Sequence, residues 1–325
     1  VTIETPFTVE RKLPPLDFVC ESGNRLWGCS SETNEIFASK LGDPTNFFAY
    51  MGISTDSYAA TVGTDGDFTG AVSYRGYVLF FKENCVHKVY GNYPANFQIQ
   101  DTACRGVQNG CHKSLAIVNE TLFYKARSGI CAFDGSLPAD ASYALGSEVY
   151  SSAVGGAHGN KYYVSMKDLQ NVWHLFVYDT AKKMWHKEDN LHAASFASCK
   201  GELYCIDADN LNIITMFGSG VPDAQDVDWM VETGEMGIAT PDMKYISRIN
   251  VRLSMETGAK AEFYAKYDMS DEWIHICNVF GTNLRSFCIP IRPRRCDYMK
   301  LKIVGHGMGK VYSITKTTER GSDIS

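Results

Sequence analysis

Apolar and polar positions alternate in short runs along the first two thirds of the chain. The runs pair off around tight polar turns at Asp17–Trp27, Ala71–Phe81, Ser114–Tyr124, Ala153–Val164 and Ala194–Ile206. The turns centre on Gly23, Gly76, Asn119, Gly159 and Gly201, spaced by 53, 43, 40 and 42 residues. A period of that size built from strands rather than helices is the pattern of β-propeller blades. Residues 1–16 are polar and punctuated by proline, which predicts an extended lead-in.

The fourth repeat is the clearest. Lys161–Ser165 leads to His174–Asp179, a polar turn at Thr180–Lys183, and Met184–His186. Its Tyr-Asp strand ending followed by Trp185 is similar to the blade hairpin of kelch-type propellers. Asp179 is expected to cap the turn and Trp185 to pack the outer strand on its neighbour. Beyond this region the rhythm changes to six candidate strands: Tyr245–Met255, Ala259–Tyr267, Trp273–Val279, Arg285–Ile291, Tyr298–Val304 and Lys310–Lys316. Clean alternation in Ile249–Leu253 and Met299–Ile303 gives each of these one wet face. The predicted fold is all-β: a propeller of five or six blades over residues 1–236, then a small antiparallel β-sandwich over 237–325.

Composition narrows the functions. With 325 residues, 45% hydrophobic and 21% charged, the chain is long enough for more than one core. No run approaches 18 consecutive apolar residues, so no membrane-spanning helix is expected. Residues 237–325 hold 14 Lys+Arg against 9 Asp+Glu, while the remainder is acidic. Opposite poles of this kind would favour head-to-tail stacking of copies. The acidic bulk argues against general nucleic-acid binding. Eleven cysteines with no C-x-x-C point to buried free thiols rather than zinc or redox chemistry.

Catalytic and cofactor signatures are missing: there is no G-x-S-x-G, H-E-x-x-H, P-loop or dinucleotide fingerprint. Gly63–Phe68 is oxygen-rich but reads as an inter-blade turn rather than a calcium loop. The acidic pairs Asp207/Asp209 and Asp226/Asp228 read as solvated turn residues, though a glycosidase would need such a pair. The densest basic cluster is Pro290–Asp297; Arg292, Arg294 and Arg295 are its candidate interface anchors, against a plain solvated bend. No catalytic residue, cofactor or metal is expected.

Several long phrases carry a family resemblance. Gly23–Trp27 with Ile36–Phe47, Gly106–Cys111 with Gly129–Gly135, and the ending Pro290–Asp297, Leu301–Ile303 and Tyr312–Lys316 resemble β-propeller proteins of bacteriophage tails and necks. These are the stabilisation or nozzle-type tail accessory proteins of short-tailed phages and their prophage relatives in gut Firmicutes. The resemblance implies a non-enzymatic virion structural protein, made in the bacterial cytoplasm. It implies self-association into a ring, commonly a hexamer, beside neighbouring tail or neck proteins, with DNA as passing cargo. Two other readings follow from a propeller: a receptor- or glycan-binding adhesin module, or a glycoside hydrolase (depolymerase) with Trp27, Trp173 and Trp185 as sugar platforms.

Overall fold

The computed structural model describes residues 13–146, 148–216, 227–237, 244–292 and 294–320. The protein is all-β and divides into two compact units, residues 1–217 and 218–325.

Among the described residues the first unit is a series of five antiparallel meanders taken in chain order. The first joins β1 (Phe18–Ser22), β2 (Arg25–Ser30), β3 (Glu35–Ala38) and β4 (Tyr58–Thr61). The second joins β5 (Phe68–Tyr74), β6 (Tyr77–Lys82), β7 (Cys85–Tyr90) and β8 (Gln98–Ala103). The third joins β9 (Ala116–Val118), β10 (Thr121–Ala126), β11 (Gly129–Phe133) and β12 (Ala139–Asp140). The fourth joins β13 (Tyr150–His158), β14 (Lys161–Asp168), β15 (Trp173–Asp179) and β16 (Met184–Asp189). The fifth has three strands, β17 (Ala193–Cys199), β18 (Glu202–Asp207) and β19 (Ile213–Thr215).

Each repeat legible in the sequence is the first hairpin of one meander. All five turn residues have positive φ: Gly23 at 60°, Gly76 at 81°, Asn119 at 46°, Gly159 at 57° and Gly201 at 82°. Two-residue hairpins demand this backbone because it matches the twist of the flanking strands, and Gly and Asn reach it most cheaply. First strands pack on first strands, β1 on β5, β9 on β13 and β13 on β17. The last strands β4, β8, β12, β16 and β19 are the most exposed. Apolar cores lie between successive sheets. Trp27, Ile36, Phe68 and Phe80 join the first two sheets. Phe81, Phe123, Tyr124, Tyr162 and Phe176 continue through the third and fourth. Tyr163, Val177 and Leu203 join the fourth to the fifth. The expectation for Asp179 and Trp185 holds. Asp179 Oδ1 accepts the N–H groups of Ala181 and Lys182, and Trp185 Nε1 donates to Ala141 O of the preceding sheet at 2.6 Å.

Among the described residues the second unit is one six-stranded sheet: β20 (Asp228–Glu232), β21 (Lys244–Tyr267), β22 (Ile274–Ile289), β23 (Arg295–Cys296), β24 (Met299–His306) and β25 (Gly309–Arg320). Two pairs of predicted strands are single strands here. Tyr245–Met255 and Ala259–Tyr267 are halves of β21, and β22 runs through Gly281. The reading as separate strands fails because Glu256-Thr-Gly258 has turn composition, yet in the structure it is a bulge inside a continuous strand. The first half of β21 pairs with β25 and the second half with β24, and β22 follows both. Inward residues of both halves, Ile249, Val251, Leu253, Ala261 and Phe263, share one core.

The boundary expected at 236/237 falls earlier. β20 pairs with β24, and Met236 bridges Met299, so residues 227–236 belong to the second unit. The sequence hides this because β20 buries chiefly Trp229, too little to set a period. The Trp229 ring lies across Gly305, where a Cβ would meet it at 2.1 Å. With the division at 217/218, the second unit holds 14 basic and 14 acidic residues. The opposite-pole expectation between units is therefore corrected: the acidic stretch before β21 cancels the basic excess.

Candidate interaction surfaces

The five sheets of the first unit converge on the connection between β8 and β9. Its residues Val107, Cys111 and Ser114 are fully buried. Every sheet touches it. The Phe18 ring of the first sheet lies 5.2 Å from His112. Gly70 of the second leaves room for Leu115, whose Cδ1 a Cβ would meet at 3.0 Å. In the third, Lys125 N–H donates to Ser114 Oγ at 2.9 Å. In the fourth, Tyr162 OH donates to Ser114 O at 2.8 Å. In the fifth, Ala194 O accepts Lys113 Nζ at 3.0 Å. The point where the first strands meet is thus filled by the chain itself. Among the described residues those first strands carry one carboxylate, Glu21, and it accepts the Asn24 N–H at 3.1 Å.

Two buried lysines, Lys82 and Lys125, occupy equivalent positions in the second and third repeats and fasten inter-sheet connections. Lys82 Nζ donates to Asn34 Oδ1 at 2.6 Å and Thr64 O at 2.7 Å; Lys125 Nζ donates to Gln108 Oε1 at 2.7 Å. Burial lowers the pKa of both. The Gly63–Phe68 loop thus gives its Thr64 carbonyl to an ammonium and serves as a turn between two sheets.

His87 lies beside Lys82, with Nε2 at 2.9 Å from Thr64 Oγ1. Burial first, then the Lys82 charge, pushes its pKa down to about 4. Because the folded value is below the unfolded one, the unfolded chain binds the extra proton between about pH 6.5 and pH 4. Stability should therefore fall as pH drops through that window, with a slope of up to about 1.4 kcal/mol per pH unit. Urea unfolding at stepped pH should show this slope, and His87→Leu should flatten it.

A second built feature is the loop between β3 and β4. Buried Arg25 donates to Ser39 O at 2.7 Å, Ser54 O at 2.9 Å and Asp56 O. Buried Asp56 Oδ2 in turn accepts three consecutive N–H groups, of Met51, Gly52 and Ile53. This clamp holds Tyr50, Met51 and Ile53 in solvent at 59%, 81% and 56% exposure. Tyr50, Tyr93, Pro94 and Asp56 line a shallow groove of about 500 Å³.

The arginine tract is exposed at Arg292, Arg294 and Arg295. Arg294 lies over the Tyr267 ring at 5.6 Å and Arg295 over Tyr245 at 5.8 Å. The guanidinium groups thus rest near these rings while both residues stay exposed. Asp297 makes no ion pair with them among the described residues; its N–H instead bonds Asp268 Oδ1 at 2.7 Å.

The other residues singled out from the sequence do not converge. Asp207 caps its own turn, bonding Asn210 Nδ2 and Asp209 N–H, and the Asn210 bond holds its pKa below the usual range. Asp209 pairs with His192 at 2.7 Å and Asp228 with His306 at 2.8 Å; Asp226 lies outside the described residues. Trp27 is buried, Trp185 is spent on Ala141, and Trp173 stacks on His192 at 4.1 Å, so none is a free sugar platform. All eleven cysteines are free thiols.

No protein-family model and no curated protein matches this chain. Among solved structures, it is similar to a protein of Bacteroides fragilis described as exported, with TM-score 0.33 and 10% identity over 56% of this chain and 63% of that one. It is also similar to the exo-β-1,3-galactanase of Phanerochaete chrysosporium (TM-score 0.32, 7% identity, 92% and 95% covered). A third is the extracellular domain of a hybrid two-component system of B. thetaiotaomicron (TM-score 0.28, 8% identity, 86% and 56% covered). Likeness at this level assigns neither fold nor activity.

Proposed function

We propose that the chain is a non-enzymatic assembly protein, a five-bladed propeller followed by a β-sandwich, serving as a structural part of a bacteriophage tail or neck. The observation that carries the non-enzymatic reading is the filled hub. A propeller glycosidase needs two carboxylates about 5–10 Å apart and open to substrate. Here the corresponding centre holds the Val107–Leu115 connection, and the surrounding first strands bring small neutral residues such as Ser152, Ala157 and Ala194. The repeated phrases quoted from the sequence supply the virion setting: a ring of copies, of hexameric order, around the DNA exit path, with neighbouring tail proteins as partners.

The exposed arginine tract is the ring contact in this reading. Reversing Arg292, Arg294 and Arg295 to glutamate should reduce the assembled fraction at least tenfold while leaving the melting temperature within about 2 °C, since surface changes cost little. Unchanged assembly would remove the tract from the interface.

The Tyr50–Tyr93 groove favours a second reading, a receptor- or glycan-binding module, because exposed aromatic faces held on a fixed loop suit sugars or peptides. Glycan-array binding lost in Tyr50→Ala, with no hydrolysis of the bound glycan, would support it over the assembly role.

A further inference from the structure

Among the described strands, β22 is the longest that pairs on one side alone within its sheet. Among the described residues it hydrogen-bonds to β21 alone, over sixteen residues. Sheet edges present unpaired N–H and C=O groups, and folded proteins guard them with charge, proline, brevity or bulges. Between Glu272 and Arg285 the sequence reads Trp-Ile-His-Ile-Cys-Asn-Val-Phe-Gly-Thr-Asn-Leu, with no charged residue and no proline. A bulge at Ile276 is the only guard in its first half. Ile274, Phe280 and Leu284 stand in solvent along the strand at 46%, 64% and 46% exposure.

The two ends of this neutral run carry opposite charge. Asp271 and Glu272 precede it and Arg285 closes it. Among the described residues Asp271 pairs with Lys266 alone, at 3.7 Å, and its side chain is fully exposed. The acidic pair lies just before the strand and Arg285 lies within it, so two copies of the segment 271–285 match in charge when they run antiparallel. Each acidic end then meets the arginine of the other copy, whereas parallel pairing would set like charge against like. Antiparallel pairing of identical strands is also the isologous, two-fold arrangement that closes on itself.

We infer that β22 pairs antiparallel with β22 of a second copy, making a two-fold dimer through a continuous sheet. This contact goes beyond the ring reading and does not depend on it, because it uses neither the arginine tract nor the first unit.

The test is sedimentation equilibrium of the full chain carrying the tract reversal at Arg292, Arg294 and Arg295, so that ring formation and edge pairing are read separately. The expected mass is twice the 36.1 kDa of one chain. Adding Arg285→Asp should raise the dimer dissociation constant at least tenfold, and adding Asp271→Arg to that variant should restore it. Asn278→Lys, which sets two lysines close together near the two-fold, should weaken the dimer with circular dichroism unchanged. A monomer at about 100 µM, a concentration at which even weak specific contacts are populated, would overturn the inference. So would a dissociation constant indifferent to Arg285→Asp.

Discussion

Replacing Arg25 with alanine is expected to cost about 3–5 kcal/mol and to release the loop that carries Tyr50, Met51 and Ile53. Arg25 satisfies three carbonyl oxygens from inside the fold while only 4% exposed. Each buried acceptor left without a donor costs about 1–3 kcal/mol. The loss spreads further, because the Asp56 carboxylate is buried beside it and Asp56 Oδ1 has no hydrogen-bond partner among the described residues. Without the guanidinium, that buried carboxylate loses a nearby positive charge. Burial already lowers the Arg25 pKa, with Asp56 opposing the shift, so the two residues depend on each other. Arg25→Lys should recover only part of the loss, since an ammonium cannot span carbonyls that the planar fork reaches together. Chemical denaturation measures the cost, and limited proteolysis within residues 46–57 reports the loop. A change below about 1 kcal/mol would mean that water replaces the side chain without penalty.

Gly106→Ala is the second large effect. A Cβ at Gly106 would lie 1.8 Å from the Lys82 carbonyl oxygen and 3.1 Å from that of Cys85. Both are backbone atoms of the second sheet, and the Gly106 N–H is itself bonded to Glu83 O at 2.9 Å. The methyl group has no flexible neighbour to displace, so the connection must pull away from the sheet. That movement propagates to Val107 and Ser114, where the five sheets meet. Overpacking of this kind costs about 3 kcal/mol or more. For a unit of this size that lowers the melting temperature by roughly 6–12 °C. Thermal scans of the variant check it; a Tm within about 2 °C of the parent would show that the connection is not a fixed part of the hub.

The contrast between these two sites explains what the sequence could and could not reveal. The hairpin turns were legible because a positive φ restricts composition: Gly23, Gly76, Asn119, Gly159 and Gly201 mark their positions by chemistry alone. Packing of one sheet on the next by Trp185 was legible for the same reason, a rare residue at a fixed offset from a turn. The hub was not. Cys104–Leu115 has no periodicity, and its partners lie as far away in sequence as Phe18 and Ala194. Glu256–Gly258 misled because turn composition and bulge composition are alike, and only the cross-strand register separates them. The arginines could be found by density, whereas their seating on Tyr245 and Tyr267 could not.

The proposed assembly role rests on self-association of the chain. Light scattering on the purified full chain across a salt series tests it most directly. One discrete mass of several times 36.1 kDa is expected at low salt, falling as salt screens the arginine contacts. A mass that stays at one or two chains at every salt concentration would contradict it.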